Sequence, residues 1–434
     1  IPNNAAEIMV SSGGLKIYAC VDPKVQAAVD SVYSNRENLP IISPSGQQLQ
    51  SAITVVDPQG NVVALAGKMG EKTAEDARGY NMATAAQRQP GSSIKPLAVY
   101  APAIEMGLVT PYDVIEDSPS FILNEKPWPV NSDRHWRGQM TIFNALTNSV
   151  NTVSIRLLNE YVTPSASYEF LINTFGIDSD HLVVRETING KEFTDIGLSQ
   201  LGLGGLTRGV STLDMAGAYS VFPRNGVYIE PRTYSRVEDA NGKVILSNEA
   251  VGEPVLKEST VYYVNQMLKN VVRAGTGGGA SFSGMTIAGK TGTTTAKNDL
   301  WFVGYTPYYT AAVWVGYQRP EVINGDVSAP RLWRMVMSQV HEGLENKDFD
   351  QPAGLVSVDY CLDTGKLATD NCRNDIRGSR VATAQFFRED VPSEYCDAHV
   401  LVEVCTADPI LKADGTPTGR YHLAGEFCPE AAMD

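Results

Sequence analysis

Thr286-Ile287-Ala288-Gly289-Lys290-Thr291-Gly292-Thr293-Thr294-Thr295 opens a series of three strand-length runs, followed by Leu300 to Tyr305 and Tyr309 to Tyr317. The breaks between them, Lys297-Asn298-Asp299 and Thr306-Pro307, are short turn clusters, so the runs are expected to pair as antiparallel neighbours. Far upstream, Ile53-Thr54-Val55-Val56 and Val62-Val63-Ala64-Leu65 flank Asp57-Pro58-Gln59-Gly60-Asn61 and predict a hairpin. The five runs together predict one five-stranded antiparallel sheet. Residues 91 to about 275, between the two strand groups, are mainly helical in pattern and are expected to pack on that sheet. Within them, Leu146, Val150, Val153 and Leu157 fall at helical spacing and predict one helix from Ile142 to Leu158. At the start of the chain, Leu15 to Val21 reads as a strand, and Asp22-Pro23 as a helix start followed by Val25, Val29 and Val32.

The composition is that of a folded globular chain of two or three domains: 434 residues, 43% hydrophobic and 19% charged. A net charge of −14, from 35 basic and 49 acidic residues, repels phosphate backbones, so no nucleic-acid partner is expected. No apolar run reaches the 18 or more residues a membrane span needs. The first residues, Ile1-Pro2, carry no leader pattern, and any membrane anchor is expected upstream of them.

Cysteines are concentrated late in the chain. Cys20 stands alone, whereas Cys361, Cys372, Cys396, Cys405 and Cys428 share one stretch, as in a disulfide-stapled module outside the cytoplasm. Val356 to Cys361 resembles Val400 to Cys405, and each is followed by a second cysteine. Pairs Cys361 with Cys372 and Cys405 with Cys428 are therefore expected, with Cys20 and Cys396 unassigned and the connectivity open. Cys396-Asp397-Ala398-His399 has ligand-like spacing, but zinc needs about four ligands and the neighbouring cysteines suit disulfides, so no metal is expected. His135, His181, His341 and His422 are scattered. Gly275-Thr276-Gly277-Gly278-Gly279 lacks the Gly-Lys-Ser/Thr ending of a phosphate loop and reads as a bend.

Three motifs carry chemistry. In Pro90-Gly91-Ser92-Ser93-Ile94-Lys95-Pro96 a serine opens a helix and a lysine three residues later shares its face, which sets a nucleophile beside a base. The helix start adds free N–H groups that favour developing negative charge near Ser92. Ser93 lies only two residues from Lys95, a spacing that does not share a face. Pro96 fits the first turn, whereas Pro102 is expected to kink or shorten the helix. Asn148-Ser149-Val150-Asn151-Thr152 holds Ser149 and Asn151 two apart, and Trp128, Trp136 and Arg137 before it are candidates to line a cleft. In Lys290-Thr291-Gly292-Thr293 a glycine inside a strand allows close approach of a ligand or another backbone. Ser-x-x-Lys arises once or twice by chance in a chain this long, but Lys-Thr-Gly only about 0.1 times, so the last motif carries most of the specificity.

Ser-x-x-Lys, Ser-x-Asn and Lys-Thr-Gly in that order are shared by penicillin-binding proteins and class A β-lactamases. The chain resembles the transpeptidase region of class A penicillin-binding proteins over roughly residues 14 to 340. The likeness includes Gly14 to Tyr18 with Val21 to Gln26, Tyr80 to Thr84, Leu201 to Ser211 and Asn225 to Tyr228. It implies an α+β penicillin-binding protein or serine β-lactamase-like fold with a central five-stranded antiparallel sheet flanked by helices. The organisation implied is a linker lobe over 1–50 after an absent glycosyltransferase domain, a transpeptidase domain over 51–345 and a Cys-rich extension over 346–434.

The resemblance also implies roles. Ser92 would be the nucleophile, Lys95 its base and Ser149 a proton relay. Asn151, Lys290, Thr291, Gly292 and Thr293 would bind substrate, and the backbone N–H groups of Ser92 and Thr293 would form an oxyanion hole. The implied substrates are peptidoglycan stem peptides ending in D-alanyl-D-alanine, with β-lactam antibiotics as inhibitors and cell-wall synthesis machinery as partners. No cofactor and no metal are implied. The alternatives are a D-alanyl-D-alanine carboxypeptidase, a non-catalytic β-lactam sensor and a serine β-lactamase. A β-lactamase would need a deacylating carboxylate, and Glu160, in Leu158-Asn159-Glu160-Tyr161, reads instead as the polar end of a helix.

Overall fold

Asp57 shapes the first turn: its carboxylate accepts the N–H groups of Gln59 and Asn61 at 2.8 and 2.9 Å. That turn joins β1 (Gln50–Val56) to β2 (Val62–Ala66). The computed structural model describes residues 3–73 and 79–433. In it β3 (Ala288–Thr293), β4 (Asp299–Tyr305) and β5 (Thr310–Gly316) join the hairpin as one antiparallel sheet in the order β3-β4-β5-β1-β2. The five expected runs therefore form the expected sheet, with β5 pairing with β1 so that Val313 stands opposite Ile53.

Both faces of the sheet are covered, so its central strands are buried along almost their whole length. On one face, α1 (Pro23–Tyr33) supplies Val25, Val29 and Val32 to a core shared with Ile53, Val55, Phe302 and Val313 of the sheet. The Asp22 carboxylate caps α1 by accepting the N–H groups of Lys24 and Val25. The other face is covered by helices that follow: α2 (Asn151–Leu157) lies in the helical layer, α3 (Thr212–Tyr219) packs on β1 and β5, and α4 (Glu258–Ala274) packs on β3. The Thr54 and Thr212 hydroxyls meet at 2.9 Å between β1 and α3. The first face is completed by α5 (Ala329–Val340), through Leu332, Trp333 and Val336. The early strand Lys16–Ala19 pairs outside this sheet, with Tyr234–Glu238.

One local expectation is corrected, and a second helix is irregular. The helix predicted from Ile142 to Leu158 is broken into Ile142–Thr147 and α2, with Ser149 between them in the left-handed region at φ 56°. The cause is tertiary: the Asn131 side-chain oxygen accepts the N–H groups of Asn151 and Thr152, serving as a long-range cap for α2. The irregular helix is the one that holds Pro102, which lies inside its last turn. A 3-10 turn over Gly91–Ile94 passes into a π turn over Pro96–Tyr100 and then an α turn over Ala101–Glu105. Proline lacks the N–H that would bond the Ala98 carbonyl, and the Ser167 hydroxyl donates to that carbonyl instead at 2.6 Å.

The chain divides into two compact units, the second comprising Tyr112–Val114, Gln139–Thr141 and Gly354–Asp434. In that unit β6 (Val356–Cys361) pairs with β7 (Val381–Phe386). There β8 (Glu403–Leu411) lies between β9 (Pro417–Leu423) and β10 (Ala431–Met433). Cys405 and Cys428 form a disulfide. The expected Cys361–Cys372 bond is not formed: both are free thiols, buried with Cys396. Among the described residues no helix is long and apolar enough to cross a membrane.

Candidate active site

Close backbone approach brings the first and third motifs together. A Cβ at Gly292 would lie 2.2 Å from the Pro90 carbonyl oxygen, and one at Gly91 would lie 2.6 Å from the Thr293 carbonyl oxygen. Only glycine at both positions lets the Gly91–Ile94 turn rest against β3, and Gly91 also has a left-handed φ of 53°. The Trp301 indole N–H on β4 donates to the Gln89 carbonyl at 2.8 Å and pins the approach to this turn.

Within the 3-10 turn, residues three apart eclipse, so Ser92 and Lys95 stack on one side. Ser92 is half-buried. The Ser93 hydroxyl is buried and donates to the Pro90 carbonyl at 2.7 Å. The direct Ser92–Lys95 hydrogen bond expected from spacing is absent among the described residues. Lys95 Nζ instead donates to the Ser149 carbonyl at 2.9 Å, the Val150 carbonyl at 3.2 Å and Asn151 Oδ1 at 2.7 Å. The helix break supplies these acceptors, since a continuous helix would turn the same carbonyls along its own axis.

Lys290 completes the group. Its Nζ donates to Ser149 Oγ at 2.8 Å and to the Thr291 carbonyl at 3.1 Å. Both lysines are fully buried. Burial and then the nearby Lys290 charge hold Lys95 well below the usual lysine range, and burial brings Lys290 down to about 7. Thr291 lies half-buried and Thr293 exposed on β3. The arrangement is thus a half-buried hydroxyl at a turn, two buried amines that converge on Ser149, and an edge strand offering hydroxyls.

Three residues of this neighbourhood had no signal in the spacing. Asp117 is buried and accepts the Asn131 amide at 2.7 Å and the Thr152 hydroxyl. Asn131 thereby carries the break that exposes the Ser149 and Val150 carbonyls. Thr276, from the Gly275 to Gly279 bend, meets the Thr291 hydroxyl at 2.7 Å. A hydroxyl residue inside a glycine cluster was the one visible hint. Of the cleft-lining candidates, Arg137 pairs with Asp117 and Asp133, Trp128 packs on Phe121, and Trp136 is exposed.

Residues 51–330 match the penicillin-binding protein transpeptidase domain, and residues 351–401 match the C-terminal domain of penicillin-binding protein 1A. Penicillin-binding protein 1A of Clostridium perfringens is 33% identical over 422 residues, covering 92% of this chain and 49% of that protein. The protein of the same name from Clostridium acetobutylicum is 35% identical over 368 residues, covering 81% of this chain and 43% of that protein. The chain spans about half the length of the curated relatives it matches. Among solved structures, PonA1 of Mycobacterium tuberculosis aligns with a TM-score of 0.67 at 25% identity, over 81% of this chain and 90% of that one. Its complex with penicillin V aligns with the same TM-score at 26% identity, over 80% and 91%. Sheet, motifs and matched residues agree, and the chain belongs to the penicillin-binding protein transpeptidase family.

Proposed function

We propose that the chain is a D,D-transpeptidase that cross-links peptidoglycan stem peptides through a Ser92 acyl-enzyme, and that β-lactams acylate the same serine. The observation that carries this reading is the pair of buried lysines meeting at Ser149, one through its carbonyl and one through its hydroxyl. A charged Lys95 uses all three N–H groups on its three acceptors, whereas the neutral amine has two N–H groups and a lone pair. Turning that lone pair to Ser92 releases the longest contact, to Val150.

Ser92 Oγ then attacks the penultimate D-alanine carbonyl as Lys95 takes its proton. The N–H groups of Ser92 and Thr293 receive the oxyanion. The C–N bond breaks, and Ser149, supplied by Lys290, protonates the departing D-alanine amine. An amine of a neighbouring stem peptide attacks the ester, its proton passes through Ser149 to Lys290, the acyl C–O bond breaks and Lys95 returns its proton to Ser92 Oγ. Asn151 uses one amide N–H on the Val130 carbonyl at 2.8 Å, which leaves the second for a substrate carbonyl. Lys290 with the Thr291 and Thr293 hydroxyls holds the terminal carboxylate, whose charge restores the Lys290 ammonium. In this reading the chain works on the extracytoplasmic face with the cell-wall synthesis machinery as its partner. The solved penicillin V complex of PonA1, 26% identical, supports the β-lactam part.

The test is intact mass after mixing with benzylpenicillin. A long-lived one-to-one adduct is expected in the native chain and in Ser93→Ala, and none in Ser92→Ala. Antibiotic loss without a persistent adduct would instead support a β-lactamase.

A further inference from the structure

We propose that Cys361, Cys372, Cys396 and His399 of the second unit form a structural zinc site. Cys361 ends β6, Cys372 lies in the Asp370–Arg373 helical turn, and Cys396 and His399 lie three residues apart before β8. Their three sulfurs and one imidazole nitrogen all lie within 4.8 Å of one another. His399 Nδ1 is 3.5 Å from Cys361 Sγ and 3.2 Å from Cys396 Sγ. Zinc bonds of about 2.3 Å to sulfur and 2.0–2.1 Å to nitrogen set the edges of a tetrahedron at roughly 3.5 to 3.8 Å, so small side-chain adjustments seat the ion.

Donor chemistry selects the metal. Three thiolates and one imidazole are a soft set that suits zinc, and four protein ligands close the coordination shell as structural sites do. The three cysteines are buried, so the ion would be shielded from water. The surroundings are built for the same end. The N–H groups of Asp363 and Thr369 each donate to a sulfur, Cys361 Sγ and Cys372 Sγ respectively, at 3.4 Å. They disperse thiolate charge. On the far side of the imidazole, Nε2 lies 3.2 Å from Asp363 Oδ2 and 3.1 Å from Asp375 Oδ2. A carboxylate there takes the Nε2 proton in a hydrogen bond and leaves the Nδ1 lone pair facing the sulfurs, the usual outer partner of a metal-bound histidine. Arg377 and Arg380 engage those carboxylates and hold them in place.

A disulfide between two of these cysteines is the competing outcome. It would leave one thiol unpaired and gives no reason for an imidazole directed at two sulfurs by two carboxylates. The separation of Cys361 and Cys372 from the Cys396-x-x-His399 pair explains why linear spacing showed only half of the set.

The experiment uses the whole chain, purified without a histidine tag, and measures metal content by mass spectrometry. One zinc per chain is expected. After chelation and denaturation, alkylation should label four cysteines, Cys20 and the three of the cluster. Cobalt loaded in place of zinc should give the visible bands of a tetrahedral thiolate site, and these should be lost or shifted in His399→Ala. Zinc should be lost in Cys361→Ser. The benzylpenicillin adduct at Ser92 in each variant reports that the first unit has folded. If a variant fails to fold, the native metal content and cobalt spectrum decide. A disulfide among the three cysteines in the purified chain overturns the proposal. So does freshly reduced protein that takes up neither zinc nor cobalt.

Discussion

Lys290 reaches the hydroxyl of Ser149 at 2.8 Å although 141 positions of chain separate them. The contact depends on the left-handed backbone at Ser149, which breaks the helix and turns the neighbouring carbonyls toward Lys95. Both amines are buried without a carboxylate among their hydrogen-bond partners in the described residues, and that drives the predictions about pH.

Acylation by benzylpenicillin should rise with pH through a transition well below the ordinary lysine value of 10.5, because only neutral Lys95 accepts the Ser92 proton. Lys290 contributes to that depression by its charge. In Lys290→Met the transition should therefore move to higher pH, whatever happens to the absolute rate. Stopped-flow acylation across pH checks it, and a transition that stays or moves down contradicts the proton path.

Stability should carry the same signature. Lys290 titrates near 7 when folded and near 10.5 when unfolded, so between those values the unfolded chain binds more protons. Stability then rises with pH across that window, and below it the penalty of burying the charge is fully present. Relative to the native chain, Lys290→Met should show a shallower rise, by up to about 1.4 kcal/mol per pH unit. Denaturant unfolding at several pH values from neutral upward measures the difference, and parallel curves would refute it.

Asn131→Ala should lower stability by about 1–3 kcal/mol, since the buried Asp117 carboxylate and two N–H groups of α2 lose a partner together. Acylation should fall as well, because the Ser149 break loses its support. Thermal melting and adduct formation, read together, separate this from a substitution that only loosens the fold.

Gly292→Ala should slow acylation roughly 100-fold, because its methyl would press 2.2 Å from the Pro90 carbonyl and shift the Ser92 turn by a fraction of an ångström or more. Gly425→Ala, with no atom within 4 Å of its added carbon, should be neutral. Adduct kinetics on both variants supply the comparison, and equal rates would show that the turn does not need its contact with β3.

How much was legible follows from the range of the forces involved. The strands of the sheet could be read because Ile53 to Leu65 and Leu300 to Tyr317 carry their apolar pattern and turn residues locally, and antiparallel pairing needs only short connections. Ser92, Lys95 and Lys290 stood out because reaction chemistry limits which residue types serve at short spacings. The break at Ser149, the cap from Asn131 and the contact of Thr276 with Thr291 had no local pattern, since each is made by a partner distant in sequence or by a bend. The same holds for Cys361 and Cys372, whose spacing looked like a disulfide until the fold set Cys396 and His399 beside them. The sequence by itself determined the strand set and the helix capped by Asp22, because propensity, capping and periodicity act over a few residues, and it named Ser92, Lys95 and Lys290 as candidates. Only the tertiary structure decided which way Lys95 points, how far Lys290 is stripped of water and which sulfurs share a histidine, because desolvation and ligand geometry depend on what surrounds a group in space.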